Sequence, residues 1–452
     1  MKTSLSREAI RAIEKRLRQA NARWARRYPG ESGRRQPVHT VYGGAHLFKA
    51  DSARRLGALA LRALERYAPD PQTLAQAVGF SDSEELARTI YSRVKEKLVR
   101  EPVEDYRIDF EDGYGTRPDA EEDTHAAQAA DEVAAGLASG ELPPFIGIRI
   151  KPFSEDTRER SFRTLDVFIS QLVEKTGGAF PPNYVTTLPK VTIPEHVRAL
   201  ADLFDILEAR LKLPAGSLKI ELMVETPQSI VGPDGSTSLP HLIDAARGRC
   251  VAAHFGTYDY TASCNITAAH QRMTHATCDF ARLMMQAALA GTGIWLSDGA
   301  TNILPVPRHR AAEGGPPLTE KQEKENRRAV HRAWKIHYDD VQHSLINGFY
   351  QGWDLHPAQL PTRYAAVYAF FLEGLDAAAE RLRTFVEKAA RATLVGDVFD
   401  DAATGQALLN YFLRAINCGA LTEAEALPLT GLTLDELRLR SFAKILAARR
   451  SD

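Results

Sequence analysis

The chain has 452 residues, of which 44% are hydrophobic and 25% charged, and a formal net charge of −1. That balance is ordinary for a globular protein and gives no reason to expect nucleic acid or an anionic membrane as partner. No apolar run approaches the roughly 20 residues of a membrane span, and the four cysteines (Cys250, Cys264, Cys278, Cys418) form no CxxC pair, which fits a reducing cytoplasm better than a disulfide framework.

Residues 1–36 form a basic helical extension. It lacks the apolar core of a signal peptide, and its three glutamates argue against a transit peptide. Within it, 4–28 predicts a helix with arginines all round, solvated or at a subunit contact. A nucleic-acid arm is disfavoured, because only Trp24 and Tyr28 could stack on bases. The next stretch, 37–48 (PVHTVYGGAHLF), predicts a first strand breaking at Gly43 and Gly44. Two inserted helices are expected over 52–98, the second opening at the capping-box pattern Ser81 to Glu84.

A rhythm follows. YRIDFEDGYG (106–115), FIGIRIKPF (145–153), YVTTLPKV (184–191), KIELMVETP (219–227), VAAHFGTYDY (251–260), GIWLSDGA (293–300) and GFYQGWDLHP (348–357) each read as a strand followed by a helix-length segment. With the first strand this makes eight units over 37–357. Alternation of this kind points to a parallel sheet, and eight units without GxGxxG or GxxxxGK[ST] favour a closed (β/α)8 TIM barrel over an open nucleotide-binding sheet. An insert is expected at 305–345. Its start, PVPRHRAAEGGPP, sits where a mobile lid would sit, although an idle surface loop has the same composition. Residues 358–452 form a C-terminal helical segment.

The strand ends carry the chemistry: Glu111 and Asp112, Arg149, Lys190, Glu225, Asp259, Asp298 and His356. In a barrel these positions converge on one rim. Glu225 is the oddest of them, a carboxylate closing the apolar run Ile220, Leu222, Met223, Val224 just before Pro227. Several carboxylates on one rim cannot all stay ionised without a cation. Oxygen ligands with a single rim histidine favour Mg²⁺, or Mn²⁺, over zinc. Glu225 and Asp259, closing adjacent strands, are the expected metal ligands, with Glu111 and Asp112 holding metal-bound water. The alternative is a structural salt-bridge network with Arg149 and Lys190. Lys190 could form a Schiff base, but a charge partner for Glu111 or for substrate is the better reading. Thr257, Tyr258 and Ser263 could hydrogen-bond a substrate. Cys264, His270, His275 and Cys278 match no common zinc-finger spacing. Trp334, Trp353 and the aromatic residues of 364–371 read as packing.

The order of DFEDGYG, GIRIKPF, LPKV, IELMVETP, FGTYDY, SDG and GWDLHPAQ resembles the citrate lyase β-subunit and malyl-CoA lyase superfamily, whose relatives include the 4-hydroxy-2-oxo-acid aldolases and malate synthase. The resemblance covers roughly 105–400. It implies a Mg²⁺-dependent barrel of the phosphoenolpyruvate/pyruvate type, making or breaking a carbon–carbon bond through an enolate. It further implies that Glu225 and Asp259 hold the metal and Arg149 the substrate's carboxylate or carbonyl oxygen. Glu111 and Asp112 match the acidic pair beside the metal, Asp298 a supporting acid, and His356 the acyl or CoA side. An aspartate in a turn after the barrel, here Asp400 with Asp401 as rival, would be the acid/base, sometimes across a subunit boundary. The expected partners are a small carboxylate substrate, free or as a CoA thioester, and further copies of the chain in a homo-oligomer. Phosphoryl transfer involving phosphoenolpyruvate and a non-catalytic oxo-acid-binding barrel are the alternative functions.

Overall fold

The computed structural model describes residues 4–80, 83–312, 314–387, 393–395, 398–400 and 402–449, with backbone only between 393 and 403. Eight short parallel strands close into a barrel in sequence order: β1 (His39–Gly44), β2 (Asp105–Asp109), β3 (Phe145–Arg149), β4 (Tyr184–Leu188), β5 (Ile220–Val224), β6 (Cys250–Phe255), β7 (Trp295–Ala300) and β8 (Gln351–Asp354). Closure is made by β1 pairing with β8, His39 opposite Gly352 and Val41 opposite Asp354. The chain is therefore a (β/α)8 TIM barrel.

Alternation along each strand divides its residues between two environments. Ile108, Ile148, Leu222 and Phe255 face the surrounding helices and are fully buried there. Many of the inward positions are polar, although Met223 and the cluster of Phe145, Ala252 and Trp295 also share the inward phase. Arg107 on β2 donates to Thr187 on β4 (3.0 Å) and to Glu221 on β5 (3.1 Å), strands that are not its neighbours, so these bonds cross the lumen. Thr40 donates to Asp105 and accepts from Gln351, closing a ring of polar contacts beneath the rim. Strands β3 and β4 approach closely at Gly147, where a Cβ would collide with the Val185 carbonyl oxygen. Gly147→Ala is therefore expected to cost about 2–3 kcal/mol, read as a lowered urea midpoint with unchanged slope.

The first helix, α1 (Arg7–Arg27), precedes the barrel. Three helices, not two, fill the first connection: α2 (Ser52–Tyr67), α3 (Pro71–Val78) and α4 (Glu84–Arg100). The additional one is local chemistry: Asp70 accepts from the Thr73 amide, Pro71 sits in the first turn, and Gly79 ends it at φ +78°. Ser83 caps α4 by accepting from Leu86; Ser81, the expected start of a capping box, lies outside the described residues.

Between the later strands run α5 (Asp119–Ser139), α6 (Arg158–Thr176), α7 (Pro194–Leu211), α8 (Pro227–Ile230), α9 (Leu239–Ala245), α10 (Thr257–Ser263), α11 (Ala276–Leu289) and α12 (Glu320–Ile346). The last of these is the crossover from β7 to β8, opened by a capping box of Thr319 and Gln322. Residues 301–312 and 314–319 precede it on the rim side. They are pinned to α12 through His309, whose backbone exchanges two bonds with Asn326 and whose ring meets Glu325. After β8, α13 (Leu360–Leu372) packs on α4 and α12. Further helices follow, Leu375–Glu387, Ala402–Asn417, Glu423–Thr430, Leu434–Arg438 and Phe442–Arg449, with Phe385, Phe412 and Phe442 buried among them. Among the described residues no helix is long and apolar enough to cross a membrane.

Candidate active site

At the C-terminal end of β5 the chain turns at Glu225, Thr226 caps α8 through the Ser229 amide, and Pro227 starts the helix. The Glu225 side chain is thereby fixed at the rim with only 1% of its residue exposed. One of its oxygens, Oε1, accepts from the Lys190 amide at 2.7 Å. Lys190 can aim that amide because it adopts φ +49°, a left-handed conformation uncommon for a residue with a side chain. The other oxygen lies where a Cβ on residue 256 would be, so only glycine fits there.

Gly256 also ends β6, at Phe255. This corrects one expectation. Asp259 does not close a strand but stands in the first turn of α10, its side chain 41% exposed, because the backbone has already turned at Gly256. It remains Glu225's neighbour: after burial, the negative charges of Asp259 and Glu111 are the largest influences pushing the Glu225 carboxyl up to about 8.

Two cations face these acids. The Lys190 ammonium contacts Glu111, Asp112 (3.2 Å) and Asp259 (3.6 Å); burial works against its charge, but Glu111, Glu225 and Asp259 outweigh it and raise the pKa. Arg149, at the end of β3, is 2% exposed. Its Nε and Nη2 grip Asp109 at 2.7 and 2.6 Å, and its Nη1 stands 2.9 Å from Glu111 Oε2. Among the described residues that oxygen has no aligned hydrogen bond. The guanidinium lies over the rings of Tyr42 (4.7 Å) and Trp353 (5.4 Å), a cation–π arrangement on the lumen side. Asp109 accepts in addition from the amides of Glu111 and Gly113, so one buried carboxylate fixes both Arg149 and the loop carrying Glu111 and Asp112.

Thus Glu111, Asp112, Arg149, Lys190, Glu225 and Asp259 come together. Asp298, His356, Thr257 and Tyr258 are engaged with other partners. Asp298 is fully buried, bound to Arg282 (3.1 Å) and Ser344 (2.6 Å). His356 turns its ring back to accept from the Ala358 amide, capping the short helix that follows β8. Thr257 is buried with its hydroxyl on Met273 sulfur. Tyr258 donates to the Ala300 carbonyl. Asp400 ends a three-residue strand paired with Thr393–Val395; its side chain and Asp401 lie outside the described residues. His275 caps α11 by accepting from Thr277. Among the described residues no three His, Cys, Asp or Glu side chains converge as a preformed metal cage.

Sequence reasoning missed Asp109, Tyr42 and His254. The signal for Asp109 was present, since residues 109 and 111 share a face at period two. His254, on the lumen side of β6, is held neutral by burial, its pKa lowered to about 4, and its Nε2 has no hydrogen-bond partner among the described residues.

A family model described as "Domain of unknown function (DUF6986)" matches residues 17–445. The chain belongs to that family. No curated protein matches the sequence. Among solved structures, a citrate lyase from Burkholderia xenovorans LB400 is similar with a TM-score of 0.55 at 18% identity, covering 88% of this chain and 97% of that one. A malate synthase from Haloferax volcanii, in complex with magnesium and glyoxylate, matches at 14% identity with a TM-score of 0.43, covering 89% and 97%. At 18% identity the first likeness shows the shared barrel architecture.

Proposed function

We propose that the protein is a Mg²⁺-dependent carbon–carbon lyase, or the reverse condensing enzyme, acting on a hydroxy- or 2-oxo-acid or its CoA thioester through an enolate. The observation that carries this reading is the Glu225 carboxyl, buried at the active-site end of a barrel and pushed up to about 8 beside two further acids. A site that sets Glu225, Asp259 and Glu111 side by side, with Lys190 and Arg149 offsetting their charge only in part, is suited to a further cation. The donors fit Mg²⁺, which needs only one or two protein carboxylates and takes its other ligands from water and substrate. Glu225 and Asp259 would hold it, and when bound it would supply a Lewis acid for a substrate oxygen.

The protein's own groups do the rest. Arg149 spends Nε and Nη2 on Asp109, which leaves Nη1, beside Glu111, as the donor edge for a substrate carboxylate or oxyanion. Lys190 balances Glu111 and Asp112 and so keeps their charges from accumulating around a bound carboxylate. We assign proton transfer between hydroxyl and carbon to Asp400.

The test is a substrate panel. Purified protein, before and after EDTA, is given 4-hydroxy-2-oxo acids, malyl-type thioesters and phosphoenolpyruvate, with products followed by mass spectrometry. Cleavage that EDTA abolishes and Mg²⁺ restores is the expected result. Metal-independent cleavage, or turnover of phosphoenolpyruvate alone, would sink the proposal.

A further inference from the structure

Two helices show an apolar stripe to solvent. On α1 it is Ile10, Ile13, Leu17, Ala20 and Trp24, spaced 3-4-3-4, and every described side chain of the helix is exposed. Apart from an ion pair of Arg27 with Asp244 at its end, this 21-residue helix buries none of its described side chains, and most helical stability in proteins comes from burying such a face. On α11 and its C-cap the stripe is Ala276, Phe280, Leu283, Ala287 and Ala290, spaced 4-3-4-3 and equally exposed. Both have the heptad periodicity of paired helices.

We propose that α1 of one copy of this chain packs antiparallel against α11 of a second copy. Reversed, the α11 spacing becomes 3-4-3-4 and the two stripes register over their full length. Ile10 then meets Ala290, Ile13 meets Ala287, Leu17 meets Leu283, Ala20 meets Phe280, and Trp24 meets Ala276. Four of the five pairs match a large side chain with alanine, the size alternation that lets two helices approach closely. The same register brings Arg23 beside Asp279, the one acidic residue of α11.

The partner must be a second copy. The Gly30 amide is bonded to the Gly291 carbonyl, just past the end of α11, and Trp24 lies one turn back from Tyr28, about 6 Å along the helix. Ala276 is about 21 Å from Ala290 along α11, so a chain rooted at Gly291 cannot lay Trp24 on its own Ala276. Charge selects the same contact. Of 57 Lys and Arg and 58 Asp and Glu, α1 holds eight and two, so the helix carries +6 and the rest of the chain −7. Two copies of α1 repel each other, whereas α1 and the body of another copy attract. Because the root of α1 adjoins α11, a two-fold axis beside that root lets both arms exchange and closes the assembly at two subunits.

Sedimentation velocity of the full chain should show a dimer. Leu17→Glu and Leu283→Glu, at positions 55% and 58% exposed, should each raise the dissociation constant at least 100-fold while leaving the circular dichroism and melting curve of the barrel unchanged. The double variant Leu17→Cys/Leu283→Cys should form disulfides between chains under mild oxidation, which the parent does not. A monomeric parent, a dimer indifferent to both glutamates, or a disulfide within one chain overturns the proposal. So does a monomer that α1 attaches to phosphatidylserine vesicles, the outcome expected of a basic amphipathic helix built for a lipid surface.

Discussion

Glu225→Gln is expected to lower turnover by at least two orders of magnitude and, at pH 8 without divalent metal, to stabilise the fold. The two effects have one cause. The glutamate carboxyl titrates near 4.5 when free of the fold and near 8 within it, chiefly through burial and then through Asp259 and Glu111. Between those values the folded chain binds the proton more tightly than the unfolded chain, so stability falls as pH rises from 4.5 to 8. Below 4.5 both states are protonated and the cost vanishes; above 8 the buried anion costs its full amount, about 5 kcal/mol for this shift. Glutamine occupies the same space without the charge. Melting temperature against pH, measured in EDTA, should therefore decline across this window for the parent and much less for the variant. Mg²⁺ at pH 8 should raise the parent's melting point and leave the variant's unchanged. A variant less stable than the parent at pH 8, or one that keeps the full slope, would show that Glu225 is already compensated within the protein and needs no cation.

The sequence exposed this residue because of its position: a carboxylate that ends an apolar strand has few bland explanations. It was less informative about Asp259. The run VAAHFGTYDY continues to read as strand through residue 260, and the turn at Gly256 that places Asp259 on a helix leaves no mark in the alternation. The number of strands and their order were legible because each run of four to six residues is largely buried on both faces and therefore apolar on at least one. Which face looks inward was not. Trp353 read as packing, yet it lies under Arg149 in the lumen, a difference of one residue in phase. Asp298 and His356 stand near strand ends in sequence, but one is turned to Arg282 and the other to its own helix, and only side-chain direction separates them from Glu225. The third helix of the first connection was legible in Asp70 and Pro71, which are a cap and a first-turn proline, but its eight residues are short enough to pass for a linker.

Arg149→Ala should destabilise the protein by about 3–5 kcal/mol and remove activity with it, and the two losses can be separated. Asp109 is fully buried and gives both oxygens to Arg149. Removing the guanidinium leaves an uncompensated carboxylate in the barrel, and that residual charge, not the loss of the pair, accounts for most of the cost. Replacing both partners, Arg149→Leu with Asp109→Leu, should therefore be markedly less destabilising than Arg149→Ala alone, while activity stays absent, because Arg149 is also the donor assigned to substrate. Arg149→Lys gives the intermediate case. Its ammonium keeps a charge near Asp109 and should retain part of the stability, but one point donor cannot hold Asp109 in two places and still face a substrate oxygen. If Arg149→Lys retained turnover within tenfold of the parent, the guanidinium fork would be a structural brace, and the donor edge beside Glu111 would have to be supplied by Lys190. Urea denaturation and initial rates on the same four proteins distinguish these outcomes, because the brace predicts that activity follows stability and the donor role predicts that it does not.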